Sequence, residues 1–411
     1  MLAPEPNAAR RTAERTARES YGKLVAILAA RTRDMASAED ALAEAFSLAL
    51  QVWPERGIPE RPEAWLITTA RRALGHDRRH KAVVEASRAT LDLMTSEVDD
   101  REQALIPDER LALMFVCAHP ALDPAVQAPL MLQTVLGLDA VRIAECFLVS
   151  PAAMGQRLVR AKTKIREARI AFALPDADQL GPRLDAVLSA IYAAFGTGWE
   201  DVHGNDAKRA GLGDEAIWLA RVLIGLCPDE PEAQGLLALM LYSEARRPAR
   251  RDGEGRFVPL DQQDAELWSS DMIIEAETIL TKAAGLGRPG RFQIEAAIQS
   301  VHVQRPITGE TNWPALVGLY AFLARLSPTM GAAVAHAVAL AEAGAPHDAL
   351  ARLDHLAKDA QSYQPYFAAR ARVMTLLGKI DEADEAFRHA AGLTADPAIR
   401  THLLAQCRRP H

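Results

Sequence analysis

Residues 138–166 read LDAVRIAECFLVSPAAMGQRLVRAKTKIR, and this stretch decides how the surrounding part of the chain folds. Asp139 is placed to cap a short helix, the letters LVS form a turn, and Pro151 opens a longer helix that we expect to run to about Ile170. A short helix, a tight turn and a long basic helix together make a helix-turn-helix pattern. The stretch therefore predicts a module that can lay one helix along DNA.

The longer helix carries an apolar stripe and a set of cations. Met154, Leu158, Ala161, Ile165 and Ala168 recur at spacings of four and three residues, which predicts a face that packs on a core. One carboxylate, Glu167, stands among the cations. The cations are Arg157, Arg160 and Lys164 on one side of the stripe and Lys162, Arg166 and Arg169 on the other.

Such a charge balance suits a helix lying along the phosphates of a DNA groove. The first residues of such a helix usually face base edges, so Ala152, Ala153, Gln156 and Arg157 are candidate base readers, and the later cations would hold the backbone. The alternative is an amphipathic helix with a solvated basic face.

Composition sets the class of protein. The chain has 411 residues, enough for two or three domains, and its wealth of Ala and Leu with only 5% aromatic residues favours an all-α fold. It has no apolar run of about 18 residues, and its N-terminus lacks the apolar core of a secretory signal. Four cysteines lie far apart without a C-x-x-C pair. We predict a cytoplasmic protein with reduced thiols and no membrane contact.

Formal charge is uneven along the chain. Residues 1–175 hold 24 Lys and Arg against 23 Asp and Glu, whereas the remainder holds 23 against 31. A protein that binds DNA alone usually has a more basic domain. The near-neutral first part therefore predicts weak binding to free DNA and help from a partner.

Residues 8–81 form a predicted first module of three helices. Ser37 is a candidate cap of the second helix, Pro54, Gly57 and Pro59 predict a rigid loop over 54–62, and the third helix ends in a basic cluster. Basic groups beside a rigid loop can hold single-stranded DNA with a base in a pocket, although a solvated helix end is an equal alternative. The cluster consists of Arg71, Arg72, Arg78, Arg79 and Lys81.

The rest of the chain divides into a polar tether over 82–106, a second module over 107–174 and a helical domain over 177–411. Near the end, one pattern repeats after 34 residues, the period of tetratricopeptide repeats. The matched positions are Gly344, Ala349, Leu353 and Leu356, followed by Gly378, Ala383, Phe387 and Ala390.

Catalysis has no support in the sequence. No nucleophile–base set is recognisable, and the GLGRPG stretch at 285–290 is a predicted turn between helices, without the strand that precedes a phosphate-binding glycine loop. We therefore predict a protein that is not an enzyme and that has no metal and no cofactor.

Several stretches resemble a known family. YGKLVAILAARTRD at 21–34, AEDALAEAFSLALQVWP at 38–54 and PEAWLITTARRAL at 62–74 look like region two of extracytoplasmic-function sigma factors of RNA polymerase, and 138–166 looks like their region four. The remainder resembles a sigma subgroup with a long C-terminal helical domain. Its telling stretches are EAIWLARVL at 215–223, PDEPEAQGLLALML at 228–241, ARRPAR at 245–250 and GRPGRFQIEAAI at 287–298.

The resemblance implies a promoter-specificity subunit that binds core polymerase, through the β′ clamp helices and the β flap, and promoter DNA. It places Glu39, Asp40, Leu42, Glu44 and Phe46 against the clamp helices. The loop 54–62 and the helix after it would read and melt the −10 element, through Arg61, Arg71, Arg72, Arg78 and Arg79. The helix from Pro151 would read the −35 element, through Ala152, Ala153, Gln156, Arg157, Arg160, Lys162 and Lys164.

Two other classes of protein stay open. One is a helix-turn-helix transcriptional regulator that works without polymerase and carries a tetratricopeptide interaction domain; it would normally need dimeric half-sites. The other is a tetratricopeptide scaffold with an incidental basic helix. For the acidic C-terminal domain we hypothesise a regulatory intramolecular contact with the sigma modules, against the alternative of a stabilising or partner-docking domain. The sequence names no anti-sigma partner.

Overall fold

The computed structural model describes residues 6–32, 34–80, 109–147, 149–199 and 207–407. Within these ranges the chain forms helices and short turns, and the one β-bridge, between Arg251 and Phe257, is isolated. The predicted all-α class is confirmed. None of the helices in these ranges is long and apolar enough to cross a bilayer. The predicted tether over 82–106 lies outside the described residues.

Contacts divide the chain into two compact units. The first unit holds the described residues before Trp199 together with Asp214–Leu219, and the second holds the others, mainly from Ala220 onward. The predicted boundary near residues 174–177 stays a prediction. The helix that begins at Ala177 belongs almost entirely to the first unit. Its Arg183 donates a hydrogen bond of 2.7 Å to the Phe115 carbonyl.

The first unit is a bundle of amphipathic helices. Its largest buried side chains include Trp53, Leu28, Leu66, Phe115 and Met131, which come from both predicted modules. The helices are α1 (Pro6–Thr32), α2 (Met35–Arg56), α3 (Pro62–His80), α4 (Arg110–Cys117), α5 (Pro124–Leu136), α6 (Ala140–Cys146), α7 (Pro151–Glu167) and α8 (Ala177–Trp199). Helix α9 (Ala207–Leu226) contributes residues to both units.

Helices α1 and α5 approach each other closely enough to exclude a side chain. A methyl group on Gly22 would lie 2.1 Å from the carbonyl oxygen of Val135, which is a backbone atom. Two residues after Val135, Gly137 ends α5 with φ of 74° and lies against the ring of Tyr21. The two predicted modules therefore pack directly on each other within one unit.

Local signals for helix starts are mostly confirmed, with two corrections. The side chain of Asp123 caps α5, and the hydroxyl of Ser150 accepts a hydrogen bond from the Ala153 amide at the start of α7. Helix α2, however, is capped by Asp34 instead of Ser37. It also continues through Pro54 to Arg56, because a proline in the last turn removes only one helical hydrogen bond. The loop is thus shorter than predicted.

The second unit is built around α10, which is buried on almost every side between α11 and α12. Glu232 of α10 accepts hydrogen bonds from the Phe292 and Gln293 amides at 3.0 and 3.1 Å, so it caps α12 where Gly290 offers no side chain. The predicted turn at 285–290 is confirmed. The helices are α10 (Pro231–Ala245), α11 (Ser270–Gly285), α12 (Arg291–Val303), α13 (Arg305–Thr308), α14 (Trp313–Leu326), α15 (Met330–Glu342), α16 (Pro346–Leu356), α17 (Gln364–Leu376), α18 (Ile380–Leu393) and α19 (Pro397–Gln406).

Two helix pairs near the end of the chain repeat after 34 residues. Helices α15 and α16 begin at Met330 and Pro346, and α17 and α18 begin 34 residues after each of them. Gly344 and Gly378 have φ of 94° and 73° in the turns of the two pairs, a conformation that favours glycine. Of the other matched positions, Ala349, Leu353, Ala383 and Ala390 are buried.

Candidate nucleic-acid interface

Helix α7 packs on the first unit through its apolar stripe. Met154, Leu158, Ala161 and Ile165 are buried, as the spacing predicts. The prediction for Ala168 is wrong: α7 ends at Glu167, three residues before Ile170, and the chain then turns so that Ala168 is exposed.

One flank of α7 faces solvent. Arg157, Arg160 and Lys164 are exposed, and none of them forms an ion pair with a residue in the described ranges. Ala152 and Gln156 in the first turns are also exposed, and Ala153 is half-buried. These six side chains make a surface, which we call the basic face, with the small and polar groups at the N-terminal end of α7 and the cations further along.

The other flank of α7 lies against α2. The Lys162 ammonium forms an ion pair with the Glu39 carboxylate, and the Arg166 guanidinium lies 3.8 Å from the Asp34 carboxylate. A predicted −35 contact and a predicted polymerase contact therefore bind each other. Among the cations of α7, those of the basic face are exposed and form no ion pair with a described residue.

The Glu39–Lys162 pair is buried and only partly satisfied. Each side chain is 12% exposed, and the Oε1 atom of Glu39 accepts no hydrogen bond from a described residue. Burial raises the pKa of the Glu39 carboxyl, and the neighbouring Lys162 cation acts against that rise. Because desolvating two charges costs about as much as their attraction returns, such a pair adds little net stability, yet it is costly to break on one side.

Replacing Lys162 with methionine should reveal this asymmetry. The pKa of Glu39, already above its unfolded value, would rise further without the Lys162 cation. Protonation of Glu39 would then stabilise the folded chain. This stabilisation would be lost as pH rises through the folded pKa. We expect an unfolding free energy about 3 kcal/mol lower than wild type at pH 8, with the deficit shrinking towards pH 5. Urea unfolding at several pH values measures it.

The double variant Glu39→Gln/Lys162→Met is the control. It removes both charges and should recover most of the loss at every pH. A deficit in the single variant that is equal at pH 5 and pH 8 would contradict a buried carboxylate left without its cation.

The outer face of α2 is acidic and partly apolar. Asp40 and Glu44 are exposed one turn apart, and Phe46 is half-buried. The expectation for Leu42 is corrected: its side chain is fully buried in the core of the first unit, so it supports the helix and cannot contact a partner here. Leu50, two to three turns beyond Asp40 in the same helix, is 49% exposed. The sequence does not predict this exposure, because a leucine in an amphipathic helix is ordinarily expected to be buried.

The predicted −10 residues lie at the start and in the middle of α3. Arg61 is exposed just before the helix, and Arg71 and Arg72 are half-buried, each with interactions inside the chain. The side chains of Arg78 and Arg79, and all of Lys81, lie outside the described residues. A pocket of about 280 Å³ opens beside Arg61, with Arg15, Ser20 and Glu63 in its walls.

Metal-binding side chains do not gather in the part of the chain that the structure describes: no three of its His, Cys, Asp or Glu residues are placed to hold an ion. Cys117, Cys227 and Cys407 are free thiols. Burial raises the pKa of Cys117 to about 12, against the opposite effect of its hydrogen bond with Thr134, so this thiol stays protonated near neutral pH.

The fold and this site define an all-helical protein with an exposed basic helix face in its first unit. A family of unknown function (DUF6596) matches residues 183–284. The uncharacterized protein R00370 of Rhizobium meliloti (strain 1021) is 38% identical over 382 residues, which cover 91% of this chain and 90% of that protein. The chain therefore belongs to the same family as R00370. No solved structure matches it.

Proposed function

We propose that the chain is an RNA polymerase sigma factor of the extracytoplasmic-function type, which binds core polymerase and promoter DNA and directs transcription initiation. The basic face of α7 is the observation that carries this proposal. It is a capped helix that follows a short helix and a tight turn, and its exposed Arg157, Arg160 and Lys164 are left without carboxylate partners in the described residues. Phosphates are the partners that such cations fit.

The outer face of α2 supports the polymerase-binding part of the proposal. Asp40 and Glu44 present two exposed carboxylates, and the exposed Leu50 lies further along the same helix, a mixture that suits a protein partner with a basic and apolar surface. For the −10 element, the pocket beside Arg61 offers a concave site next to a cation, where an unstacked base could lie.

The contact between α2 and α7 adds a requirement. Because Glu39 and Lys162 neutralise each other, neither is available to polymerase or DNA in this structure. If both serve in initiation, the pair must separate when the chain binds core polymerase. The marginal net stability of a buried, half-satisfied ion pair keeps the cost of that separation low.

Binding to purified bacterial core polymerase tests the proposal. We expect the chain to co-purify with core, and the Asp40→Ala/Glu44→Ala variant to bind about tenfold more weakly, because two charged contacts are lost. The matched control is Asp381→Ala/Glu385→Ala, which removes exposed carboxylates at the same spacing from α18 of the second unit. Wild-type chain that binds DNA but not core would instead identify a polymerase-independent regulator.

For the acidic C-terminal region we propose a regulatory role through contact with the sigma modules. Its support is the excess of eight carboxylates over cations beyond residue 175, opposite in sign to the basic face. A chain that ends after Leu219 keeps every residue of the first unit. Equal salt dependence of transcription for that chain and the full chain would rule out electrostatic masking.

A further inference from the structure

A cavity of about 670 Å³ lies within the second unit. This volume is in the range of small-molecule sites in proteins, about 300–1,000 Å³. Its walls come from α12 to α15, α17 to α19, and a segment before α11 that is mostly irregular, with one 3-10 turn at Leu260–Gln262. That segment, residues 251–263, is called the strap here.

The strap is fixed at both ends. Near its start, Arg251 forms an ion pair of 2.6 Å with Asp396, and the ring of Phe257 stands edge-on to His402 at 5.3 Å. At its end, the guanidinium of Arg305 donates hydrogen bonds to the carbonyl oxygens of Asp261 and Gln263, the second at 3.1 Å. The cavity is therefore formed before any ligand binds.

Most of the cavity wall is apolar or aromatic. Trp313 and Tyr320 of α14, Val334 and Val338 of α15, and Phe387 of α18 face it. Planar and branched side chains of this kind enclose an apolar or aromatic group of a ligand.

The charges around the cavity are unbalanced at one wall. Arg372 is neutralised by both carboxylate oxygens of Glu342, at 2.7 and 3.2 Å. Arg305 also lines the cavity, but it donates only to backbone carbonyls, and no carboxylate in the described residues forms an ion pair with it. Its positive charge is therefore not neutralised by an ion pair.

Arg246 adds to this imbalance. Arg246 is buried, with 8% of its surface exposed. Its guanidinium donates hydrogen bonds to the Tyr242 carbonyl at 3.2 Å and to the Gln299 side chain, and no carboxylate among the described residues pairs with it. Burial, helped by the nearby cation of Arg250, lowers the pKa of Arg246 to about 10. Burial, together with the cations of Arg246 and Arg305, lowers the pKa of His302 to about 4.

The wall formed by His302 and Arg305, with Arg246 nearby, is thus positive. Two carboxylates line the cavity: Glu342 pairs with Arg372, and the charge of Asp261 acts on Arg372 and His402. Buried charge without a partner is costly, and an anionic group that enters would relieve that cost. A neutral imidazole and a guanidinium both supply N–H donors for such a group.

We propose that this cavity binds a small organic acid, with its apolar or aromatic body against Trp313, Tyr320 and Val338 and its anionic group against Arg305 and His302. The proposal concerns the second unit alone and does not depend on the sigma-factor proposal. A small molecule is favoured over a peptide because the cavity, at about 670 Å³, has the volume of a small-molecule site.

The experiment is calorimetric titration of the full-length chain with 2-naphthoate and, as a neutral probe of the same shape, 2-naphthalenemethanol. We expect naphthoate to bind at least about tenfold more tightly, since only the acid gains charge-assisted hydrogen bonds. Arg305→Met should remove that difference. The control Arg325→Met changes an exposed guanidinium of α14 that does not line the cavity, and it should leave both probes unaffected.

A second variant fills the cavity. Val338→Trp should abolish binding of both probes, while circular dichroism and thermal unfolding confirm that the chain stays folded. Equal affinity for the two probes would overturn the anionic part of the proposal. Naphthoate binding that survives both Arg305→Met and Val338→Trp, or that is absent at millimolar concentration, would overturn the site itself. Because none of these measurements uses polymerase, their failure leaves the sigma-factor proposal unaffected.

Discussion

Replacing Arg157 and Arg160 with alanine is expected to weaken promoter binding by the polymerase–sigma complex by one to two orders of magnitude at about 100 mM salt. Both guanidinium groups are exposed on the basic face of α7. If both contact DNA, their loss removes two charge-assisted contacts, and one to two orders of magnitude correspond to about 1.4–2.8 kcal/mol for the two together, towards the lower end of the range for such contacts. It also reduces the steepness of the plot of log affinity against log salt by about 0.9 for each of the two residues that contacts a phosphate.

Titration of labelled promoter fragments at several salt concentrations measures both quantities. The control Arg352→Ala/Lys358→Ala removes the same charge from exposed positions of the second unit. It should leave the salt slope unchanged. If the two double variants weaken binding equally, the basic face acts only through overall charge, and its assignment as the promoter contact is wrong.

Alanine in place of Gly22 is expected to lower the unfolding free energy of the first unit by about 3 kcal/mol, at the upper end of the usual cost of overpacking. The added methyl group would lie 2.1 Å from the Val135 carbonyl oxygen and 2.8 Å from two further backbone atoms of that residue. A flexible side chain can move aside, but the backbone of α5 cannot, so α1 and α5 must separate. Urea unfolding measures the loss.

Gly155→Ala is the matched control, since it makes the same change inside another helix of the same unit. A methyl group there meets no atom within 4 Å, and alanine favours the helix by about 0.8–1.0 kcal/mol. We expect this variant to be slightly more stable than wild type. Wild-type stability of the Gly22→Ala variant would contradict direct packing of α1 on α5.

The features that the sequence predicts correctly are local. Asp139 caps α6, where it accepts a hydrogen bond from the Arg142 amide at 2.7 Å, because a short polar side chain directly before a helix can reach the free amides of the first turn. The 34-residue offset between helix pairs was predictable because Gly344 and Gly378 mark equivalent turns. The cap of α2 was misplaced because Asp34 and Ser37 both suit the role, and only the structure shows which side chain meets the amides.

The features that the sequence does not predict depend on distant residues. Glu39 and Lys162 are separated by 123 positions, and nothing in either helix indicates that the flank of one lies on the other. The strap was also missed, because a polar stretch with two Arg, two Asp and two Gly is typical of any surface loop. Its anchor, Asp396, follows it by 145 positions.

The central claim is that the basic face of α7 and the acidic face of α2 serve transcription initiation. In vitro transcription of genomic fragments with core polymerase, followed by mapping of transcript 5′ ends, tests it most directly. The account predicts new start sites that require the chain, share two spaced upstream elements, and are lost with both Arg157→Ala/Arg160→Ala and Asp40→Ala/Glu44→Ala. A folded chain that adds no start sites to those of core polymerase alone would contradict it.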